Sequence, residues 1–456
     1  MVTLTQSPAP VRHRAPRPAR HRSPALPLLA AAWAGGLAVL ALWWQDTDAV
    51  IGTAGWLTGA GRIAGLLSGY MCALLVVLMA RVPLLEQRVG SDRVARWHAS
   101  AGRWTICLLV AHIVLITLGY AAQGGAGPLA ELDTIVFHYP EMLKGAAGAV
   151  VLIVVGVVSA RAVRRRVRYE VWYYLHVLTY AAVFLAFGHQ LALGADLSVH
   201  PGARAAWYVL YVGAAALVSW FRVLAPVRLN LRHRLRVVAV VREAPGVTSV
   251  WMSGRRMDEL TAAPGQFLRW RFLTGGMWWT SHPYSLSAPP AGGALRITVK
   301  ALGDHSAALA LLPPGTRVWA AGPYGALTPA RRRRRNVLLI AGGTGITPLR
   351  TLFEALPADA GDLTLLYRAR TPAELALRGE LERIAQARGA RVHYVLNAPD
   401  GRRTVITADA LLRLLPDVRT HDVYLCGPPG FAQAVYDALR AAKVPARQIH
   451  HESFAL

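Results

Sequence analysis

The chain has 456 residues, 54% of them apolar and 16% charged, and a formal net charge of +25. That length allows several domains, and so apolar a chain with so few charges points to a membrane protein. The basic excess does not argue for a nucleic-acid partner, because the arginine clusters alternate with apolar runs instead of lining one soluble face.

Residues 1–24, rich in Pro and Arg, read as a disordered cytoplasmic tail. Apolar runs follow near residues 25–44, 56–80, 99–121, 142–160, 171–192 and 204–224. Each is long enough, as a helix, to cross a hydrocarbon core of about 30 Å, so 25–224 is expected to be a six-helix transmembrane bundle in a lipid bilayer. Arginines crowd the tail and the segments after the second run (Arg81, Arg88, Arg93, Arg96), the fourth (Arg161, Arg164, Arg165, Arg166, Arg168) and the sixth (Arg222, Arg228, Arg232, Arg234). The alternate loops carry Asp46, Asp48, Glu131, Asp133 and Asp196. The positive-inside rule then puts both termini in the cytoplasm of a multi-pass protein of the cell membrane.

Two runs carry histidine pairs, His98 with His112 and His176 with His189. At 1.5 Å rise per residue the members of a pair stand about 20 Å apart, so one metal cannot use both. Two such helices can instead hold two metals stacked across the membrane. Both helices run outward, which matches His98 with His176 at the inner side and His112 with His189 at the outer. Neutral imidazole suits haem iron, and two axial histidines leave a haem built for electron transfer. The expectation is two b-type haems, since no Cys-x-x-Cys-His attachment site occurs. One point resists: the thirteen residues from His176 to His189 leave the side chains about 140° apart on an ideal helix. A local irregularity is therefore expected at Gly188. Cys72, Cys107 and Cys426 are too few for an iron–sulfur cluster held by four thiolates within this sequence.

The second half has no membrane-length run. Over 228–328, short strands are expected at Leu235–Val241, Thr248–Met252, Phe267–Phe272, Leu295–Val299 and Arg317–Ala320, with Gly/Pro turns between them. Such spacing predicts a small antiparallel β-barrel. Over 336–456 strands alternate with helices, the pattern of an α/β domain with a parallel sheet. Its first strand, Val337–Ala341, runs into Gly342-Gly343-Thr344-Gly345-Ile346-Thr347, where backbone amides and a helix N-terminus can meet a pyrophosphate. The next strand, Leu363–Tyr367, ends in Arg368-Ala369-Arg370. An acid there binds the ribose of NAD, whereas arginine meets the 2′-phosphate of NADP. Arginine favours NADPH over NADH, the alternative being two solvated surface arginines. Arg331 to Arg335 read as a solvated linker between the soluble domains, the alternative being a contact with anionic lipid.

Three further motifs occur in order: His282-Pro283-Tyr284-Ser285-Leu286-Ser287, then Val299 to Ser306, then Val423 to Phe431 with Cys426-Gly427-Pro428 at its centre. With the histidine bundle they resemble the ferric reductase and NADPH oxidase family, transmembrane flavocytochromes b with flavin and NADP domains of the ferredoxin–NADP reductase type. The resemblance covers nearly the whole chain. It implies FAD packed on Tyr284, with Ser285 near the flavin N5 and His282, beside Pro283, facing the pyrophosphate. Lys300, Gly303 and Ser306 are implied near the FAD phosphates. Gly342, Gly343, Thr344, Gly345 and Thr347 would cradle the NADPH pyrophosphate, and Cys426, Gly427 and Pro428 the nicotinamide side. Phe454 is implied to cover the isoalloxazine until nicotinamide displaces it. Phe454, Ser285 and Cys426 are then the catalytic set.

The implied activity is electron transfer from cytoplasmic NADPH, through FAD and the two haems, to an extracytoplasmic acceptor: a ferric complex or O2. Oxidases of this family carry an arginine on helix two, matched by Arg62, and a second histidine one turn beyond the outer ligand of helix three, where this chain has Ile116. That departure favours ferric reduction over superoxide production. Arg62 reads equally well as a snorkelling or haem-propionate arginine. His138 and His200, in outer loops, could guide ferric ions, though exposed histidines there also fit an ordinary polar loop. A third reading is a haem donor to a periplasmic partner protein. No motif bears on oligomeric state.

Overall fold

The structure is a computed structural model and describes residues 25–452 except 46, 48, 49, 126, 165, 291, 292, 399 and 401. The tail 1–24, the loop acids Asp46 and Asp48, Arg165 and Phe454 lie outside the described residues. The chain divides into two compact units, which meet in sequence between Leu224 and Ala225.

The first unit is helical. α1 (Ala25–Trp44), α2 (Gly52–Met79), α3 (Ser91–Gly124), α4 (Met142–Ser159), α5 (Tyr169–Leu193) and α6 (Pro201–Val218) are each long and apolar enough to cross a membrane. Large apolar side chains such as Trp33, Ile51, Phe184 and Val209 stand exposed on this unit, as befits a surface solvated by lipid. Pro201 takes the first turn of α6, where a missing N–H costs nothing, and Gly125 closes α3 in the left-handed conformation. α2 packs along α3, and α4 along α5. Interior polar groups are bonded between segments: Tyr70 donates to the Ala32 carbonyl, Tyr211 to the Gly69 carbonyl and Trp207 to the Gln190 side chain. Lipid would offer them no partner.

α5 is uninterrupted through Gly188, so the expected irregularity is absent there. A Cβ on Gly188 would collide with the Glu141 carboxylate. The glycine does not break the helix.

The second unit opens with α7 (Ala225–His233), whose Asn230 bonds both the N–H and the carbonyl of Ala320. Strands β1 (Arg236–Ala244), β2 (Val247–Ser253), β3 (Phe267–Phe272), β4 (His282–Ser285), β5 (Ala294–Lys300) and β6 (Val318–Tyr324) follow. They form two antiparallel sheets, β1-β2-β5 and β4-β3-β6. The expected barrel is not closed by a continuous ladder; the sheets join through isolated bridges, Arg236 to Arg317 and Leu286 to Ile297. β4, a strand beyond those expected, explains one open seam: it is four residues long, and Pro283 has no N–H to offer a ladder. Trp270, Phe272, Met252, Leu286 and Ile297 fill the common core.

The α/β portion has one parallel sheet in the order β11-β10-β7-β8-β9. Its strands are β7 (Val337–Gly342), β8 (Leu363–Arg368), β9 (Arg391–Val395), β10 (Asp422–Cys426) and β11 (Ile449–His451). β7 reads as a continuous apolar run because both its faces are covered: Leu339 and Ala341 enter one core, Leu338 and Ile340 the other. β7 and β10 start neighbouring connections that leave in opposite directions, so the crevice at their C-terminal ends is the switch point where α/β sheets bind ligands. The Arg331–Arg335 run is not a free linker. The buried Asp422 carboxylate accepts the backbone N–H groups of Arg333 and Arg334, and Arg335 pairs with Asp362.

Candidate functional site

Within the helical unit the histidines come together in the expected pairs. The rings of His98 on α3 and His176 on α5 meet edge to face with centroids 5.8 Å apart. An iron held at about 2 Å by one nitrogen of each ring would set the centroids about 6 Å apart, so the pair stands near the separation that bis-imidazole ligation asks for. His112 on α3 and His189 on α5 lie within electrostatic range of one another. An uninterrupted α5 satisfies both pairings because an offset of about 140° is about 70° either side of a shared midline. The imidazoles flank that midline instead of lying on it.

The neighbouring helices are cut to fit the rings. A Cβ on Gly65 of α2 would stand 2.6 Å from His112 Nδ1, and one on Gly145 of α4 would stand 2.9 Å from His189 Nδ1. His112 Nδ1 lies 2.9 Å from the Gly61 carbonyl oxygen. A carbonyl only accepts, so Nδ1 carries the proton and Nε2 keeps its lone pair, the tautomer a metal ligand needs. The Trp172 ring lies tilted 5.0 Å from that of His176, and its N–H donates to Ser159. Among the described residues no group of three or more His, Cys, Asp or Glu could hold a bare metal ion. A haem supplies four nitrogens of its own and asks the protein for only two. Arg62 is not free for a ligand: it pairs with the buried Asp196, an acid assigned from sequence to loop topology alone.

In the second unit the flavin motif forms β4. Its His282 ring lies 3.8 Å from that of His305, and neither Nε2 has a partner among the described residues. Burial, then the Arg269 cation, lowers the His282 pKa; burial, then His282, presses His305 down to about 4. Tyr284, whose hydroxyl burial pushes up to about 12, is held at its carbonyl by Trp270 Nε1 at 3.0 Å. Pro283 pairs with Arg269 and the buried Ser285 with Phe267 across the β3–β4 ladder. The Ser306 hydroxyl accepts the N–H groups of Leu302 and Gly303. It orders its own loop, an occupation the sequence did not suggest.

A cleft is lined by Lys300 of β5, by Gly343, Thr344 and Thr347 of the glycine loop and the helix start after it, by Tyr367 of β8, and by Ala369 and Glu374 beyond that strand. Gly342 and Gly427 both lie against Phe431, and any side chain at Gly345 would strike the Cys426 carbonyl. These contacts bring the two loops at the switch point together. Cys426 is buried, Pro428 precedes the helix Pro429–Ala441, and Thr347 bonds back to the Thr344 carbonyl.

The two arginines after β8 part company. Arg368 donates to Asn397 at 2.6 Å, and burial, then Arg403 and Arg370, lowers its pKa. Arg370 is engaged by Glu374. That carboxylate is held below its usual range first by Arg370 and also by Lys300, 3.8 Å away. Glu374, Asn397, Arg403 and His305 were missed from sequence. Only Glu374 left a signal, four residues after Arg370.

Residues 64–187 match the ferric reductase like transmembrane component family, and residues 339–437 match the oxidoreductase NAD-binding domain family. The first match contains His98, His112 and His176 and stops two residues short of His189; the second contains the glycine loop, Arg368, Arg370 and Cys426. Over 200 residues the chain is 35% identical to the ferredoxin reductase component of a 3-ketosteroid-9-alpha-monooxygenase from Mycobacterium tuberculosis, covering 43% of this chain and 55% of the relative. It is 28% identical over 240 residues to a glycine betaine monooxygenase reductase subunit from Chromohalobacter salexigens, covering 49% and 65%. The chain thus spans 55% of the first relative's length. Among solved structures, the flavohem-like FAD/NAD binding domain of nitric oxide dioxygenase from Vibrio cholerae aligns at 26% identity and a TM-score of 0.41, covering 49% of this chain and 98% of that one.

Proposed function

We propose that this chain, a membrane oxidoreductase joining a ferric-reductase-like transmembrane component to an NAD(P)H-dependent reductase module, carries electrons from cytoplasmic NADPH through FAD and two b-type haems to an extracytoplasmic acceptor. The single observation that carries the reading is the His98–His176 contact, met by a second histidine pair on the same two helices. A bis-imidazole haem takes and releases single electrons without opening a coordination position, and a flavin accepts a hydride yet gives up electrons one at a time.

This chain's residues divide the remaining work. His98 with His176, and His112 with His189, would hold the two haems, and the Gly61 carbonyl sets the tautomer of His112. Tyr284 and Ser285 seat the flavin ring, with His282, Lys300, Gly303 and Ser306 toward its phosphates. The glycine loop from Gly342 and Gly343 through Thr344, Gly345 and Thr347 cradles the dinucleotide. Cys426, Gly427 and Pro428 bound the nicotinamide side, and Phe454, outside the described residues, would cover the flavin. Arg368 is the cation best suited to a 2′-phosphate, since Arg370 is engaged by Glu374.

A ferric complex is the acceptor this site favours. Ile116, where the oxidase resemblance asks for a second histidine, packs its apolar side chain against Gly61, and Arg62 is committed to Asp196. Relatives named as reductase components of monooxygenases support a second reading, a partner protein as acceptor. Membranes containing the chain, given NADPH, should reduce a ferric chelate and make little superoxide. Superoxide at the same rate, abolished by an inactivating His112 variant, would reverse the order.

A further inference from the structure

A buried ionic bridge ties the flavin motif to the helix that carries the glycine loop. Arg296, on β5, is 2% exposed at its side chain. An arginine so buried must be fully partnered, because an unpaired interior charge is costly. Its guanidinium donates to the Ser287 carbonyl at 2.7 Å and the Ser287 hydroxyl at 3.0 Å. Ser287 lies two residues beyond Ser285 in the flavin motif. The same guanidinium grips both carboxylate oxygens of Glu380, at 2.6 and 2.8 Å. Glu380 belongs to the helix Arg378–Arg388 of the nucleotide domain, and it accepts a third bond, at 2.9 Å, from Arg350. Arg350 sits on the helix Ile346–Ala355, which begins where the glycine loop ends. On that helix the next residue, Thr351, accepts the backbone N–H of Gly265 from the flavin domain at 2.8 Å.

A bidentate guanidinium–carboxylate pair fixes angle as well as distance. Apolar packing of the same volume would bring equal or greater stability with less directional control. The arrangement is thus one that sets geometry between two domains whose ligands must meet.

We propose that Arg296 and Glu380 are positioning residues for hydride transfer, locking the glycine-loop helix to the flavin motif so that nicotinamide meets flavin at the reactive distance. This rests on the reading of the chain as an NADPH-dependent flavin reductase. The full chain in detergent, loaded with FAD, is mixed with NADPH, and flavin bleaching is followed by stopped flow for Arg296→Met, Glu380→Gln and the double variant. Each single variant should lower the limiting rate constant at least about tenfold, because misplacement of about 1 Å costs up to about a hundredfold, while FAD content and the NADPH dissociation constant hold within about threefold. The double variant should be no slower than the worse single, since the two residues act as a unit. Unchanged limiting rates with lowered thermal stability would make the bridge merely structural and overturn the proposal; so would additive losses. If Glu380→Gln does not retain FAD, Glu380→Asp, which keeps the charge and shortens the reach, carries the same test. A wild-type flavin that dithionite reduces but NADPH does not overturns the underlying reading, and the proposal with it.

Discussion

A Cβ placed on Gly65 would stand 2.6 Å from Nδ1 of His112. The imidazole occupies the groove that the glycine leaves on α2, and the Gly61 carbonyl, one turn earlier, accepts the Nδ1–H hydrogen bond at 2.9 Å. Gly65→Val should therefore displace the ring and lose one b-type haem of two, as should His112→Leu, which removes the donor outright. Flavin reduction by NADPH should continue in both. The haem count comes from the pyridine haemochromogen assay on purified protein, with acid acetone extracting all of it. One haem in the wild type, or two in His112→Leu, would sink the paired-ligand assignment.

Arg368 and Arg370 should not contribute equally to cofactor choice. Arg368→Ala removes charge-assisted hydrogen bonds to a phosphate that NADH lacks, which at about 1.5–3 kcal/mol weakens NADPH by roughly tenfold or more. Arg370→Ala should do less, since Glu374 already engages that side chain. Glu374→Gln removes a negative charge from the cleft and should tighten NADPH relative to NADH. Dissociation constants for both cofactors, from flavin-reduction kinetics, decide the matter; equal losses on NADPH and NADH in Arg368→Ala would place the 2′-phosphate elsewhere.

Acid should weaken the flavin domain through its stacked histidines. In the unfolded chain a histidine protonates near 6.5, whereas folded His305 resists protonation down to about 4. Between those values the unfolded state binds more protons, so stability, complete above about 6.5, falls as pH drops toward 4. His305→Gln should flatten that slope. Thermal midpoints of the FAD-loaded protein from pH 7.5 to 4 provide the measurement, and an identical slope in the variant would assign the acid sensitivity to other groups.

Phe454 lies outside the described residues, and its role rests on resemblance. If its ring covers the flavin, nicotinamide must displace an aromatic stack worth about 0.5–1.5 kcal/mol. Truncation after Ser453 should tighten the nicotinamide–flavin complex and shift preference toward NADH. Rates and affinities indistinguishable from wild type in stopped-flow reduction by both cofactors would leave the stacking role to another residue.

The features that sequence could reach are those written in local periodicity or local spacing. A helix crossing a bilayer needs its apolar residues in one stretch, so the six spans were plain, and histidine is rare enough in such a stretch for two matched pairs to stand out. The apolar β7 strand running into Gly342-Gly343-Thr344-Gly345 announced itself in the same way, because strand, turn and helix start are consecutive. The strand β4 is not legible in sequence because four residues containing a proline show no alternation, and for the same reason sequence does not reveal that the barrel stays open.

What tertiary structure alone decided is partnership. Helical angle alone argues for a break at Gly188, yet α5 runs uninterrupted and its two histidines reach their partners from either side of one face. Arg62 with Asp196, Arg296 with Glu380, and Asp422 with the backbone of Arg333 and Arg334 join residues far apart in the chain. Sequence period determines which face a residue occupies. It cannot say which distant charge will be desolvated beside it, and desolvation makes an arginine either a ligand-binding cation or a structural clasp.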